Sequence, residues 1–220
     1  MTEQEIRSVV AAVVARYCGA APVQEQTPQE DPRIIHAEAS ARHVHLTREA
    51  VQALFGPEAV LVKKKDLSQG GEFLSEQRVR VVTSKGELAR VAVLGPERSA
   101  IQVELSRTDC RTLGIQAPVR LSGDLRGAAD VYLIGPKGMI FAPGSAIIAK
   151  AHIHLPPAEA VRRGLQNGQQ VRVRMETSRP LTFEGVEIRV KDTFTPELHL
   201  DLDEANACGL EGSSRGIILA

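Results

Sequence analysis

The sequence predicts a mainly β protein of barrels or sandwiches capped by short helices, with an amphipathic helix on a linker in front. Three observations carry this. From residue 34 onward, short runs alternate apolar and polar residues between Gly and Pro turns, as half-buried strands do. The helical patterns in that body are brief, and strands do not alternate with long helices, which argues against a doubly wound parallel sheet. Before that body the pattern changes to apolar residues at helical spacing, followed by a proline-containing polar stretch.

In chain order, the first element is "TEQEIRSVVAAVVARYCG", residues 2 to 19, within a segment taken as 1–20. Ile6, Val9, Val10, Val13, Val14 and Tyr17 form one stripe. Thr2 and Glu5 have capping-box spacing, and Gly19 can close the C-terminus. Residues 21–32 read as a linker with almost nothing to bury. Such a helix either docks on its own domain or binds another protein, and the tether favours the second reading. In the body, "RVRVVTSKGELARVAVLG" places two alternating runs around Ser84-Lys85-Gly86, a hairpin signal. "DVYLIGPKGMIFAPG" repeats it around Pro136-Lys137-Gly138, and "QQVRVRMETSRPLTFEGVEIRVK" holds at least two more strands. Short helices are expected near 48–55, 108–113, 157–163 and 203–208.

Composition narrows the function. Lys plus Arg equals Asp plus Glu, 27 each, so nothing favours a polyanionic partner. Aromatics are 3% of the chain, too few for a base-stacking platform, so no nucleic acid is expected. No apolar run is long enough to span a membrane, and no secretory signal opens the chain. Cys18, Cys110 and Cys208 leave an odd thiol and no disulfide framework, which fits a reducing cytoplasm.

The informative feature is a repeat. "ARHVHLTREA" and "KAHIHLPPAEA" each contain H-x-H-L, using four of six histidines. In a strand, residues i and i+2 share a face, so His43 and His45 point together, as do His152 and His154. Val44 and Leu46, or Ile153 and Leu155, then anchor the other face. Each phrase runs into a short helix, with Thr47 as a good N-cap for the first and Pro157 suited to the first turn of the second. Each also has a later partner: "AIQVELSRTDCRTLG" and "PELHLDLDEANACG" align Glu104 with His199 and end at Gly114 and Gly209. The halves thus offer His43, His45 and Glu104, and His152, His154 and His199. Both are common first shells for a catalytic divalent metal that keeps a position open. His36 lies outside the pattern and reads as an ordinary residue.

Two such ions near one another can activate an oxygen nucleophile and stabilise a leaving group. Arg98 lies six residues before Glu104, at the same strand parity, and its guanidinium suits an oxyanion. Arg107 and Arg111 are weaker candidates that read mainly as solvated surface. Cys110 has no activating cation in register and reads as structural. "HVHLTREAVQALFG" resembles part of the cupin signature through Glu49 and Gly56, but Ala37 stands where that signature has a glycine.

"SARHVHLTREAVQALFG", "GPERSAIQVELSRTDCRTLGI", "RLSGDLRG", "AKAHIHLPPAEA" and "LHLDLDEANACGL" together resemble the PduL-type phosphate acyltransferases, or phosphate propanoyltransferases. The likeness spans roughly residues 33 to 210. It implies interconversion of acyl-CoA plus phosphate with acyl phosphate plus CoA, with two divalent metals, usually zinc, between two β-barrels. It implies one barrel from 33–41 plus 150–220 and another from 42–149. It assigns His43, His45 and Glu104 to the metal that meets the CoA sulfur, His152, His154 and His199 to the second, and Arg98 to phosphate. It also implies a homodimer or larger assembly, and packaging in a bacterial microcompartment through contacts of residues 1–20 with shell or core proteins. Ala151 and Pro156-Pro157 depart from the usual motif and bear on helix capping. The rival reading is a non-catalytic or cupin-like metal-binding protein recruited by its helix.

Overall fold

The computed structural model describes residues 2, 6, 10, 13, 31–212 and 214–219. The chain divides into two units, Met1–Asp31 and Pro32–Ala220. In the first, Ile6, Val10 and Val13 are helical and exposed, at the spacing expected of the apolar stripe. The rest of the expected 1–20 helix, and residues 21–30 of the expected linker, lie outside the described residues.

The second unit is β-rich. Its strands are β1 (Ile34–Ser40), β2 (His43–His45), β3 (Lys63–Asp66), β4 (Phe73–Val82), β5 (Glu87–Gly95), β6 (Gln102–Leu105), β7 (Val119–Arg120), β8 (Ala129–Ile134), β9 (Met139–Ala149), β10 (His152–Leu155), β11 (Gln170–Glu176), β12 (Thr182–Val190), β13 (Glu197–Asp201) and β14 (Arg215–Leu219). Four short helices join them: α1 (Arg48–Phe55), α2 (Arg107–Leu113), α3 (Pro157–Arg163) and α4 (Leu202–Cys208).

The strands close two barrels. One runs β1-β13-β10-β12-β11-β14 and back to β1. The other runs β4-β5-β2-β6-β9-β8 and back to β4, with β3 and β7 attached at its sides. Closure satisfies strand edges that would otherwise template aggregation. The outlying β3 carries three exposed lysines, a common protection for a free edge. Period-2 patterning fills each barrel: in β11, Val171, Val173 and Met175 point inward while the residues between them are exposed. Two separate apolar clusters result, one around Val44, Val93 and Leu133, the other around Ile153, Ile188 and Leu198.

Both expected hairpins form. Val82 pairs with Glu87 across the Ser84-Lys85-Gly86 turn, and Ile134 with Met139 across Pro136-Lys137-Gly138. The first turn presses on α2, so that a Cβ on Gly86 would lie 2.0 Å from the Thr112 carbonyl oxygen. Helices α2 and α4 begin one residue before the expected starts of 108 and 203. Strands β3, β7 and β14 were not anticipated; they are short, or lack clear alternation.

The barrels repeat one layout. Strand β2 lies between β5, parallel to it, and β6, antiparallel. Strand β10 lies in the same way between β12 and β13. Each of β2, β6, β10 and β13 runs directly into a helix. Thr47 caps α1 through Ala50 N–H, while Ser106 and Asp201 make full capping boxes with Asp109 and Glu204. Pro156 provides no side-chain cap for α3, which starts instead with Pro157 in its first turn. That is the cost of the Pro-Pro departure noted in the sequence. Glycines at 114, 164 and 209 end three of these helices in the left-handed region, where a Cβ is disfavoured.

Candidate active site

The repeated layout places each three-residue set on adjacent strands. His43 lies opposite Glu104 on β2 and β6, and His152 opposite His199 on β10 and β13. Cross-strand partners share a face, so the later partner of each H-x-H joins it on one side of the sheet. The aliphatics between them, Val44 and Ile153, are fully buried in the two cores. Ligand atoms within each set lie within 4.8 Å of one another. Both sets line one cavity of about 780 Å³, within the range of small-molecule sites.

Burial makes the sets chemically distinctive. His43, His45, Glu104, His152 and His154 are each under 8% exposed. His43 Nδ1 lies 2.8 Å from the Ala41 carbonyl, and His152 Nδ1 lies 2.7 Å from that of Lys150. A carbonyl only accepts, so both Nδ1 atoms carry hydrogen and both Nε2 atoms face the set. His45 Nδ1, both ring nitrogens of His154, and His199 Nε2 are buried without any hydrogen-bond partner. A buried polar atom left unpaired costs about 1–3 kcal/mol, so four at one place call for a ligand. Burial pushes His152 down to about 4 and His154 to about 2, with neighbouring histidine charge adding to the effect. His45 falls to about 2 through burial and His43, and His199 is lowered mainly by burial. These imidazoles are therefore neutral near pH 7 and keep a lone pair. Burial works against the charge on Glu104, but His43 outweighs it and holds the carboxyl well below the usual range. Burial likewise lowers His43, yet Glu104, 3.6 Å away, leaves its pKa raised overall. Neutral imidazoles, an ionised carboxylate and orphaned buried nitrogens fit a divalent cation at each set.

Arg98 also lines the cavity, but not by the route strand parity suggested. It sits in the loop before β6, fixed by its N–H to the Leu46 carbonyl at 2.9 Å. Its guanidinium donates to Glu72 Oε1 at 2.7 Å and to Ser122 Oγ at 3.0 Å. Arg107 and Arg111 are exposed and border a different concavity, beside the buried Cys110. Cys208 is also buried, and neither cysteine lines the main cavity. Glu49 is exposed on α1 and joins neither set, which removes the cupin-like reading. His36 is exposed on β1, as expected.

Several residues in or behind the cavity wall escaped the sequence reading. Gln102 donates to Glu104 Oε1 at 2.6 Å and to Ser122 Oγ at 2.8 Å. Its parity with Glu104 on β6 was a usable signal. Phe194 stacks on His154 with ring centroids 3.9 Å apart. Gln69, almost fully buried, makes two hydrogen bonds to the backbone of Thr195. No periodicity marks either loop.

Comparison with known proteins finds relatives over nearly the whole chain. A family model described as phosphate propanoyltransferase matches residues 36–211. A phosphate propanoyltransferase of Enterococcus faecalis is 45% identical over 197 residues, covering 90% of this chain and 93% of the relative. That of Priestia megaterium is 44% identical over 218 residues, covering 99% and 97%. That of Alkaliphilus metalliredigens is 38% identical over 216 residues, covering 98% of each. The protein is therefore an enzyme, an acyltransferase whose polar centre lies on the walls of paired barrels. Within that class, the chain belongs to the phosphate propanoyltransferase family.

Proposed function

We propose that the enzyme interconverts a short-chain acyl-CoA plus phosphate with acyl phosphate plus CoA, at a site built for two divalent cations, zinc for preference. One observation carries this reading: two sets of convergent, buried ligand atoms, several unpartnered, face one cavity. His43, His45 and Glu104 would hold one ion, and His152, His154 and His199 the other. Bound there, such ions supply Lewis acidity and a soft partner for a thiolate. The chain's own residues do the positioning. The Nδ1 donations of His43 and His152 to backbone carbonyls fix their ring orientation. Arg98 binds the phosphate and turns an oxygen toward the thioester carbonyl. That oxygen bonds to the carbonyl carbon, the C–S bond breaks, and the sulfur leaves as thiolate. No acyl-enzyme is needed.

The supporting architecture is two domains, 33–41 plus 150–220 and 42–149, each contributing one ligand set. Residues 1–20 bring the enzyme into a bacterial microcompartment by binding shell or core proteins. The exposed apolar side chains of Ile6, Val10 and Val13 support that role. A homodimer or larger assembly is the working form. Among the described residues, no helix is long and apolar enough to cross a membrane.

The decisive assay measures phosphate-dependent release of CoA from acetyl- or propanoyl-CoA, alongside elemental analysis. About two metal equivalents per chain, lost together with activity on chelation, are expected. Absence of phosphate-dependent release from metal-replete protein would remove the reading. Arg98→Ala should raise the phosphate KM at unchanged metal content. Deleting residues 1–20 should spare activity and abolish co-localisation with shells. Sedimentation of the purified enzyme tests the dimer.

A further inference from the structure

The two barrels match in strand layout but not in charge. His45 on β2 faces Leu94 on the parallel strand β5. His154, its counterpart on β10, faces Arg189 on β12. Both counterparts line the cavity. The duplication thus holds at the ligand positions and breaks beside them, where one wall is aliphatic and the other carries a half-buried guanidinium.

The cations around the cavity differ in how they are occupied. Arg42 pairs with Asp109, and Arg98 with Glu72. Arg78 donates to the carbonyls of Ser75 and Gln77. Among the described residues, the Arg189 side chain makes no hydrogen bond or ion pair; its guanidinium lies over the Phe194 ring, with Cζ 5.6 Å from the centroid. Phe194 also stacks on His154, and Lys191, another cavity cation, places Nζ 5.9 Å from the same ring centroid. Arg189 lines the same cavity as Arg98 and Glu104, and it lies in the fields of Glu104, Glu187, Arg98 and Glu72 without pairing directly with any of them. A half-buried guanidinium with no carboxylate in direct contact has all its N–H donors left for a ligand. Arg98 alone is half neutralised by Glu72, a poor match for a doubly charged tetrahedral anion. A second guanidinium, from the other barrel, restores the balance.

We propose that Arg189 is a second phosphate-binding residue, closing with Arg98 a two-guanidinium clamp on the phosphate that attacks the thioester. This rests on the phosphate acyltransferase reading above. The free anion is the intended ligand because Arg189 is the register partner of a ligand-set histidine. The phosphate groups of the CoA carrier share the same chemistry and are separated by the test.

The test is steady-state kinetics of metal-replete enzyme with acyl-CoA and with a simple S-acyl-pantetheine, which lacks the carrier's phosphates. Arg189→Gln should raise the phosphate KM by about tenfold or more, with thioester KM within about twofold, for both thioesters. Arg189→Lys, which keeps charge but loses the fork, should fall between. Phe194→Leu separates a structural role: if it reproduces the Arg189→Gln phosphate defect, Arg189 acts only by supporting that ring and the clamp is wrong. An unchanged phosphate KM in Arg189→Gln also overturns it. So does a thioester KM defect that vanishes with acyl-pantetheine, which would give Arg189 to the carrier. Thermal stabilisation by inorganic phosphate alone, present in wild type and lost in Arg189→Gln, tests the site without turnover. It would survive failure of the acyltransferase reading.

Discussion

Gln102 holds Glu104 in place: its amide nitrogen lies 2.6 Å from Oε1 of that buried carboxylate. The same nitrogen reaches Ser122 Oγ, which also accepts from Arg98, and the Gln102 carbonyl oxygen accepts Gly123 N–H. A continuous hydrogen-bonded chain therefore links the carboxylate of one ligand set to the guanidinium assigned to phosphate. Gln102→Met keeps the shape and removes the donors. It should lower unfolding free energy by about 1–3 kcal/mol. Denaturant titration checks this, and an unchanged midpoint would show that Glu104 needs no such anchor.

The ligand assignments predict separable metal loss. His199→Ala should remove the ion of its own set and leave about one equivalent bound, since His43, His45 and Glu104 form a complete set elsewhere. Elemental analysis after desalting reads this directly. Loss of all metal from the single variant would contradict two independent sets.

Glu204 sets a pH dependence of stability. It is half-buried at the start of α4, accepts Asp201 N–H at 3.0 Å, and burial pushes its pKa up from 4.5 to about 7. Between those values the unfolded chain has released the proton and the folded chain has kept it. The folded state binds more protons there, so stability falls as pH rises from about 4.5 to 7 and then levels. Asp201, also raised by burial, adds in the same direction at lower pH. Glu204→Gln retains the acceptor without the titration. It should flatten thermal stability across this window and raise Tm at pH 8. A wild-type-like slope in this variant would assign the effect elsewhere.

Gln69 and Thr195 fasten the Phe194 loop, through one donation in each direction at 3.2 and 3.1 Å. Gln69→Ala should free that loop at a cost of about 1–2 kcal/mol. Hydrogen exchange should rise at Thr195, whose N–H is one of the donors. Unaltered protection there would mean the loop is held by other contacts.

The Gly86 turn is packed too closely for any side chain. Gly86→Ala should lower Tm by several degrees, because the added carbon meets a helix carbonyl rather than a flexible side chain. Calorimetry of the purified variant checks it, and a Tm equal to wild type would mean the hairpin shifts freely.

Much of this was legible in the residue order, because short strands impose a local rule. Alternation put His43 and His45 on one face and Val44 in the core. The parallel phrasing of the two halves grouped Glu104 with His43 and His45, and His199 with His152 and His154; that Glu104 lies opposite His43, and His199 opposite His152, is a matter of strand register that the repeat does not encode. The parity reasoning failed at Arg98, where the chain leaves the strand at the cis Gly95-Pro96 peptide and re-enters only at Gln102. Arg98 reaches the cavity because its loop bonds back to Leu46. Phe194 and Gln69 were illegible for the same reason: loop residues meet through tertiary contacts between distant segments, and no local period encodes them. The order of strands around each barrel was likewise beyond pattern, since β1 pairs with β13 and β14.

That last pairing has a consequence for synthesis. Ile34 bonds across the barrel seam opposite Ile217, near the far end of the polypeptide. On a ribosome, every strand of the β2–β9 barrel emerges before β13 and β14 exist. That barrel can therefore close while β1, already made, waits as a bare edge. The nascent chain must shelter β1 for most of its translation. A circular permutant that moves β1 to follow β14, its antiparallel neighbour, would end that wait while keeping the strand order of the barrel.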